Sequence, residues 1–260
     1  MKFIFIALIV LTTTINALTF KVATYNVKNF FDLKYQGNEY KEFKPNTRKW
    51  NKKRFNKKLK NIIKVLKTKN FDIISLQEIE SKEALSYILK KLPQYKYSYF
   101  YKKQTSAIGL SIISKYPIIS NKIITVQKFN KRSRDILKSK ILIDGKELII
   151  FSNHWNSKRA GENKRVPYAM ALMKHIYTLN HNSEYIILGD LNSNYNEYKT
   201  FKYNKKLNTT SGITGINQIL NTTINKKFIT KNSMSDYKYH SIHYNLWLDK
   251  KREKRYSYIF

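Results

Sequence analysis

The chain has no cysteine among its 260 residues, so neither a disulfide nor a thiolate metal site can stabilise it. Glycine (7) and proline (4) are scarce and nowhere gather into a linker, and no internal repeat is visible. The length then suits one large domain with a substantial core. Long apolar runs are missing too. Phe3 to Leu11, behind Met1-Lys2, is too short to span a bilayer. Followed by Thr12 to Asn16 and the small Ala17, it reads as a secretory signal over residues 1–17. A secreted or periplasmic, soluble domain over 18–260 is the expectation. Acidic residues are few: Asp+Glu 17 stand against Lys+Arg 50, a net charge of +33, or +32 once Lys2 leaves with the signal. A field of that sign concentrates anions, nucleic acid or anionic lipid first. A lysine-rich composition that merely keeps the chain soluble is the plainer alternative.

What is present is a series of apolar runs that end in polar residues. Ile186-Ile187-Leu188 leads through Gly189 into Asp190-Leu191-Asn192. In an extended segment i and i+2 share a side, so Asp190 and Asn192 face one spot beyond a strand's carboxyl end. An ordinary Asx turn would look the same. Leu18 to Val27 alternates as a first strand should and carries Asn26; Phe71 to Leu76 runs into Gln77-Glu78. Lys146 to Phe151 runs into Ser152-Asn153-His154-Trp155-Asn156, and Asp144-Gly145 before it signals a hairpin. Further strands are expected at 95–101, 108–114, 118–126 and 134–143.

Between them lie helical patterns. Phe55, Leu59, Ile62, Ile63 and Leu66 form one stripe in a helix beginning near Thr47, whose other faces carry lysine and arginine. A solvated face explains those cations more simply than a dedicated phosphate surface. Ser81 can cap a second helix, and a third is expected over 166–179. Lys158 to Arg165 is a basic loop fit to hold a phosphate backbone. Residues 199–231 read as a long loop with one helical piece at 213–220. Strands with interspersed helices argue for an α/β (α+β) sandwich of two sheets flanked by helices.

Thr24-Tyr25-Asn26-Val27, Leu76-Gln77-Glu78, Ser152 to Asn156 and Leu188 to Asn192, in that order, resemble the motifs of the endonuclease/exonuclease/phosphatase superfamily, the DNase I-like fold. Ser111 to Pro117 is similar to that family's strand and turn between its second and third motifs. The resemblance implies a β-sandwich and a phosphodiesterase or phosphatase dependent on Mg²⁺ or Mn²⁺. It makes Glu78 the chief metal ligand, with Asn26 beside it and Asp190 reaching metal or orienting the attacking water. His154 then serves the scissile phosphate or the leaving group, and Asn192 a phosphate oxygen. Asn156, Arg134, Arg159 and Arg165 are the candidates for holding substrate phosphate.

Asn245-Leu246-Trp247 and Tyr256 to Phe260 look like a segment that secreted bacterial nucleases of this superfamily carry. In those relatives an Asp-containing strand and a Ser-Asp-His motif follow, whereas here Ser235-Asp236 is followed by Tyr237. His240 and His243 are the remaining candidates for a base. The resemblance therefore implies a C-terminally incomplete domain, with last strands of one sheet missing and catalysis impaired. The expected partner is nucleic acid, DNA first, bound by a monomer without a transmembrane segment. The alternatives are a lipid-headgroup phosphatase or sphingomyelinase of the same fold, and a non-catalytic nucleic-acid-binding remnant.

Overall fold

The computed structural model describes residues 19–126, 133–194, 197–220, 223–224 and 227–228. The signal segment and the stretches around Ser235-Asp236, His240, His243 and Tyr256 lie outside the described residues. In chain order the main elements are β1 (Val22–Phe30), α1 (Lys52–Lys67), β2 (Ile73–Ile79), α2 (Lys82–Leu89), β3 (Tyr97–Tyr101) and β4 (Gly109–Ser114). There follow β5 (Ile118–Ile124), β6 (Ile136–Ile143), β7 (Lys146–His154), α3 (Val166–Ile176), β8 (Glu184–Asp190) and the single turn α4 (Glu197–Thr200).

Two four-stranded mixed sheets result, ordered β1-β2-β4-β3 and β5-β6-β7-β8. In each, one parallel pair, β1 with β2 and β7 with β8, stands among antiparallel neighbours. Ile73, Leu110 and Ile112 of one sheet meet Leu137, Ile141, Ile150 and Leu188 of the other in a shared apolar layer. Burying a side chain of this size contributes about 1.5–3 kcal/mol. Within the layer Ser75 Oγ donates to Ser152 Oγ at 2.9 Å, a polar contact between the sheets. Helices α1 and α2 cover the outer face of the first sheet and α3 that of the second. This is the two-sheet sandwich flanked by helices that the strand pattern indicates.

Helix α1 starts at Lys52, later than the periodicity suggests, because Trp50 is used elsewhere. Its indole is buried and donates to the Asp32 carbonyl at 3.0 Å, while Thr47 N bonds the Trp50 carbonyl in a turn. Asn51 then caps the helix by accepting from Arg54 N. Ser81 caps α2 through Ala84 N as expected. Asp144 and Gly145, at φ 45° and 81°, turn β6 into β7. The described residues after 199 hold more than a loop with one helical piece. They include a 3-10 turn at Phe201–Tyr203, a π-helical turn at Gly215–Ile219 packed on Trp155, and a short pairing of Thr223–Ile224 with Lys227–Phe228. Among the described residues no helix is long and apolar enough to cross a membrane.

Candidate active site

The carboxyl ends of both parallel pairs open at the same end of the sandwich, and the polar residues that end them converge. Asn26 Nδ2 donates to Glu78 Oε1 at 2.9 Å and to Asp190 Oδ2 at 3.0 Å, joining β1, β2 and β8 through one amide. His154 is the register partner of Asp190, and its Nε2 lies 3.6 Å from Glu78 Oε1.

Local backbone irregularity aims these groups. β2 breaks register with both neighbours around Glu78, whose φ is +66°. A bulge there turns the side chain toward the site instead of continuing the alternation. Lys28, Asn29 and Asn192 also hold positive φ, so each strand end that feeds the site except β7 carries a left-handed residue. Such conformations cost about 1–3 kcal/mol each and gather at functional sites. Gly189, at φ +133°, fits where a Cβ would lie 2.0 Å from the Asn153 carbonyl oxygen.

Burial sets the electrostatics. It pushes the Glu78 carboxyl above its ordinary range; the Asn26 hydrogen bond opposes this, Asp190 adds to it and Arg134 opposes it. The His154 imidazole is held far below its usual value, first by burial and then by the Arg134 guanidinium, with Asp190 pulling the other way. His154 is therefore neutral, and its approach to Glu78 is not an ion pair. Asp190 is fixed as well, Oδ1 accepting from Asn192 N at 2.9 Å.

The other expected site residues separate into two groups. Arg134 borders the site, its Nη1 donating to the Trp155 carbonyl at 2.9 Å. Asn192 lies beside it, with Nδ2 on the same carbonyl at 3.0 Å. Asn156 is half-buried and accepts from the Tyr168 hydroxyl, and Arg159 is exposed in its loop. Arg165 is a correction to the expected phosphate-holding loop. It is fully buried, its Nε and Nη2 each 2.7 Å from Glu162 Oε2 with Nε aligned to donate, and Nη1 reaches loop carbonyls including that of Ser157 at 3.2 Å. A charge so enclosed is a strut of the loop. Asn26 stands beside Glu78 as expected and bridges the acids, its oxygen accepting from Lys28 N at 2.8 Å while its nitrogen faces both carboxylates.

Two lysines were not singled out by the sequence. Lys58 Nζ donates to the Lys28 carbonyl at 2.7 Å, and both amines are pushed down by burial and drawn back up by Glu78. Lys28 stands two residues after Asn26, which is the only signal it gave.

A hard divalent cation takes oxygen ligands, commonly one or two carboxylates completed by water and phosphate. Glu78 and Asp190, close enough to share one amide and disfavoured as neighbouring charges, fit such an ion. Among the described residues no group of three or more His, Cys, Asp or Glu is arranged as a metal cluster.

No curated protein matches the chain. Among solved structures, a beta hairpin deletion mutant of beta toxin from Staphylococcus aureus aligns with a TM-score of 0.53 at 16% identity, covering 93% of this chain and 85% of that one. TDP2 of D. rerio, humanized by 14 mutations, gives 0.52 at 15% identity over 73% of this chain and 72% of its own. TDP2 from C. elegans gives 0.51 at 20% identity over 68% of this chain, which spans only 49% of that protein. These likenesses concern the fold. The family model described as Endonuclease/Exonuclease/phosphatase family matches residues 21–210, from the first strand past the last site residue, and the chain belongs to that family.

Proposed function

We propose that the protein is an exported, metal-dependent phosphodiesterase that hydrolyses nucleic acid, with DNA as the favoured substrate. The observation that carries the reading is the single Asn26 amide shared by Glu78 and Asp190, with His154 beside them. The net charge of +33 supports a polyanionic substrate, and Phe3 to Ala17 support export.

In this reading Glu78 and Asp190 hold Mg²⁺ or Mn²⁺. When bound, the ion neutralises phosphoryl charge and lowers the pKa of coordinated water. The chain's own groups do the rest. Asp190, anchored by Asn192 N and Asn26, accepts a hydrogen bond from the attacking water and so orients it. Neutral His154 donates from a ring N–H to a phosphoryl or leaving-group oxygen without adding a competing charge to the carboxylates. Arg134 places a guanidinium beside the position of the developing negative charge. Asn192 keeps one amide N–H beyond the one spent on Trp155 to meet a phosphate oxygen. The other histidines among the described residues, His175 and His181, precede β8 and lie away from its carboxyl end. The candidates for the base that deprotonates water are therefore His154 and, outside the described residues, His240 and His243.

A plasmid-nicking assay with Mg²⁺ and with chelator, run beside phosphocholine release from sphingomyelin vesicles, tests the reading. Nicking that chelator abolishes is expected. Release from lipid without nicking points to the headgroup enzyme, and tight DNA binding with neither activity to a non-catalytic binder.

A further inference from the structure

Lys28 and Asn29 stand side by side in the left-handed region, at φ 54° and 62°, just after the residue whose amide joins the two carboxylates. Two such residues in succession persist only where their surroundings hold them. From the site side, Lys28 N donates to Asn26 Oδ1 at 2.8 Å and Asn29 N bonds the Glu78 carboxylate. From the other side comes a group that the proposed hydrolysis does not use. Lys58 Nζ, on α1, donates to the Lys28 carbonyl at 2.7 Å. That carbonyl and the Asn29 N–H belong to one planar peptide group. A single rigid unit therefore has the Lys58 ammonium at one end and the Glu78 carboxylate at the other. A charged donor on the carbonyl bonds more strongly than a neutral one and polarises the N–H beyond it.

The placement is particular to this lysine. Lys58 follows Phe55 by three residues and precedes Ile62 by four, which sets it on the border of the buried stripe of α1. The Phe55 ring stacks on Phe30, the last residue of β1, with centroids 5.3 Å apart. This part of the helix thus lies over the carboxyl end of the strand. Every other lysine of α1 is exposed, whereas Lys58 is half-buried, and among the described residues the Lys28 carbonyl is its one hydrogen-bond partner. Drawing an ammonium out of water onto a neutral acceptor is costly, and a lysine turned outward at the same position would avoid that cost.

We infer that Lys58 is a positioning residue of the site: by holding the Lys28–Asn29 peptide it aims the Asn26 amide at Glu78 and Asp190. The inference deepens the phosphodiesterase reading and rests on it only for what the site does.

Hydrogen exchange of the Asn26 side-chain amide, read by NMR on the full chain in chelator, tests it without turnover. Its resonance pair is the one lost in Asn26→Ser. The amide serves both carboxylates, so slow exchange is expected in the parent. Lys58→Met should speed it about tenfold, the effect of one hydrogen bond, while Lys58→Arg and the exposed-site control Lys57→Met keep it slow. Melting curves check folding, with Lys58→Ala taking the place of a methionine variant that does not fold. Exchange unchanged without the Lys58 ammonium, or equally fast in either control, overturns the positioning role. In hydrolysis of bis-p-nitrophenyl phosphate with Mg²⁺, Lys58→Met is expected to cost about tenfold in the parent and nothing in Asn26→Ser, whereas additive losses overturn the route through Asn26. The phosphodiesterase reading fails separately, when a parent that protects the amide does not hydrolyse this substrate.

Discussion

His154 and Asp190 stand opposite each other on β7 and β8, so an imidazole and a carboxylate of the site are set by one parallel ladder. The ladder closes this tightly because Gly189 lacks a Cβ, which would otherwise lie 2.0 Å from the Asn153 carbonyl oxygen. Gly189→Ala should therefore destabilise the fold by about 2 kcal/mol or more, since the strained backbone and the clash add. Urea unfolding reads this as a lower midpoint. An unchanged midpoint would mean that the strands are not paired in this register.

Arg165 and Glu162 are both fully buried and paired. Removing one partner leaves an uncompensated charge, so Arg165→Ala is expected to cost about 3–5 kcal/mol, whereas Arg159→Ala in the same loop should stay within about 0.5 kcal/mol. Comparable small losses for both would restore Arg165 to the phosphate-binding surface that the sequence suggests.

Glu80 is buried against Asp32, and burial raises its carboxyl from 4.5 to about 8, while the hydrogen bond from Asp32 N opposes the rise. Folding then takes up a proton between these values. Its contribution is present below about pH 4.5 and is lost as pH rises toward 8. His154 has the opposite sign, because a buried neutral imidazole loses stability as pH falls below its ordinary 6.5. In chelator between pH 6.5 and 8, the parent should lose stability by up to about 1.4 kcal/mol per pH unit relative to Glu80→Gln. Parallel curves for the two proteins would show that Glu80 is ionised when folded.

Binding of duplex DNA should weaken steeply with salt. Each phosphate neutralised contributes about 0.9 to the slope of log K against log salt. With a net charge of +33, a slope of several units is expected in fluorescence titrations from about 50 to 200 mM salt. A flat response would leave the charge as a solubility feature only.

Much of the site was legible because Glu78, His154 and Asp190 each end an apolar run, a pattern that strand periodicity exposes directly. The basic loop was misread at Arg165 for a physical reason. A guanidinium that faces solvent and one that folds back on Glu162 look identical in sequence, and only the packing against Gly215 and the loop carbonyls separates them. The pairing of Tyr101 with Asp135 and of Lys103 with the Ser133 carbonyl was invisible because it joins segments some 30 residues apart. Trp50 displaced the start of α1 in the same way, through a single contact with Asp32.

The most direct test of the site is the rate of bis-p-nitrophenyl phosphate hydrolysis as a function of Mg²⁺ concentration, for the parent, Glu78→Gln and Asp190→Asn. Both substitutions keep the shape and remove a charge that a hard cation needs. The parent is expected to show saturable Mg²⁺ dependence, and each variant to lose about 10²-fold or more in rate at any Mg²⁺ concentration. Hydrolysis that persists in chelator, or a Glu78→Gln protein as fast as the parent, would contradict the assignment of the two carboxylates.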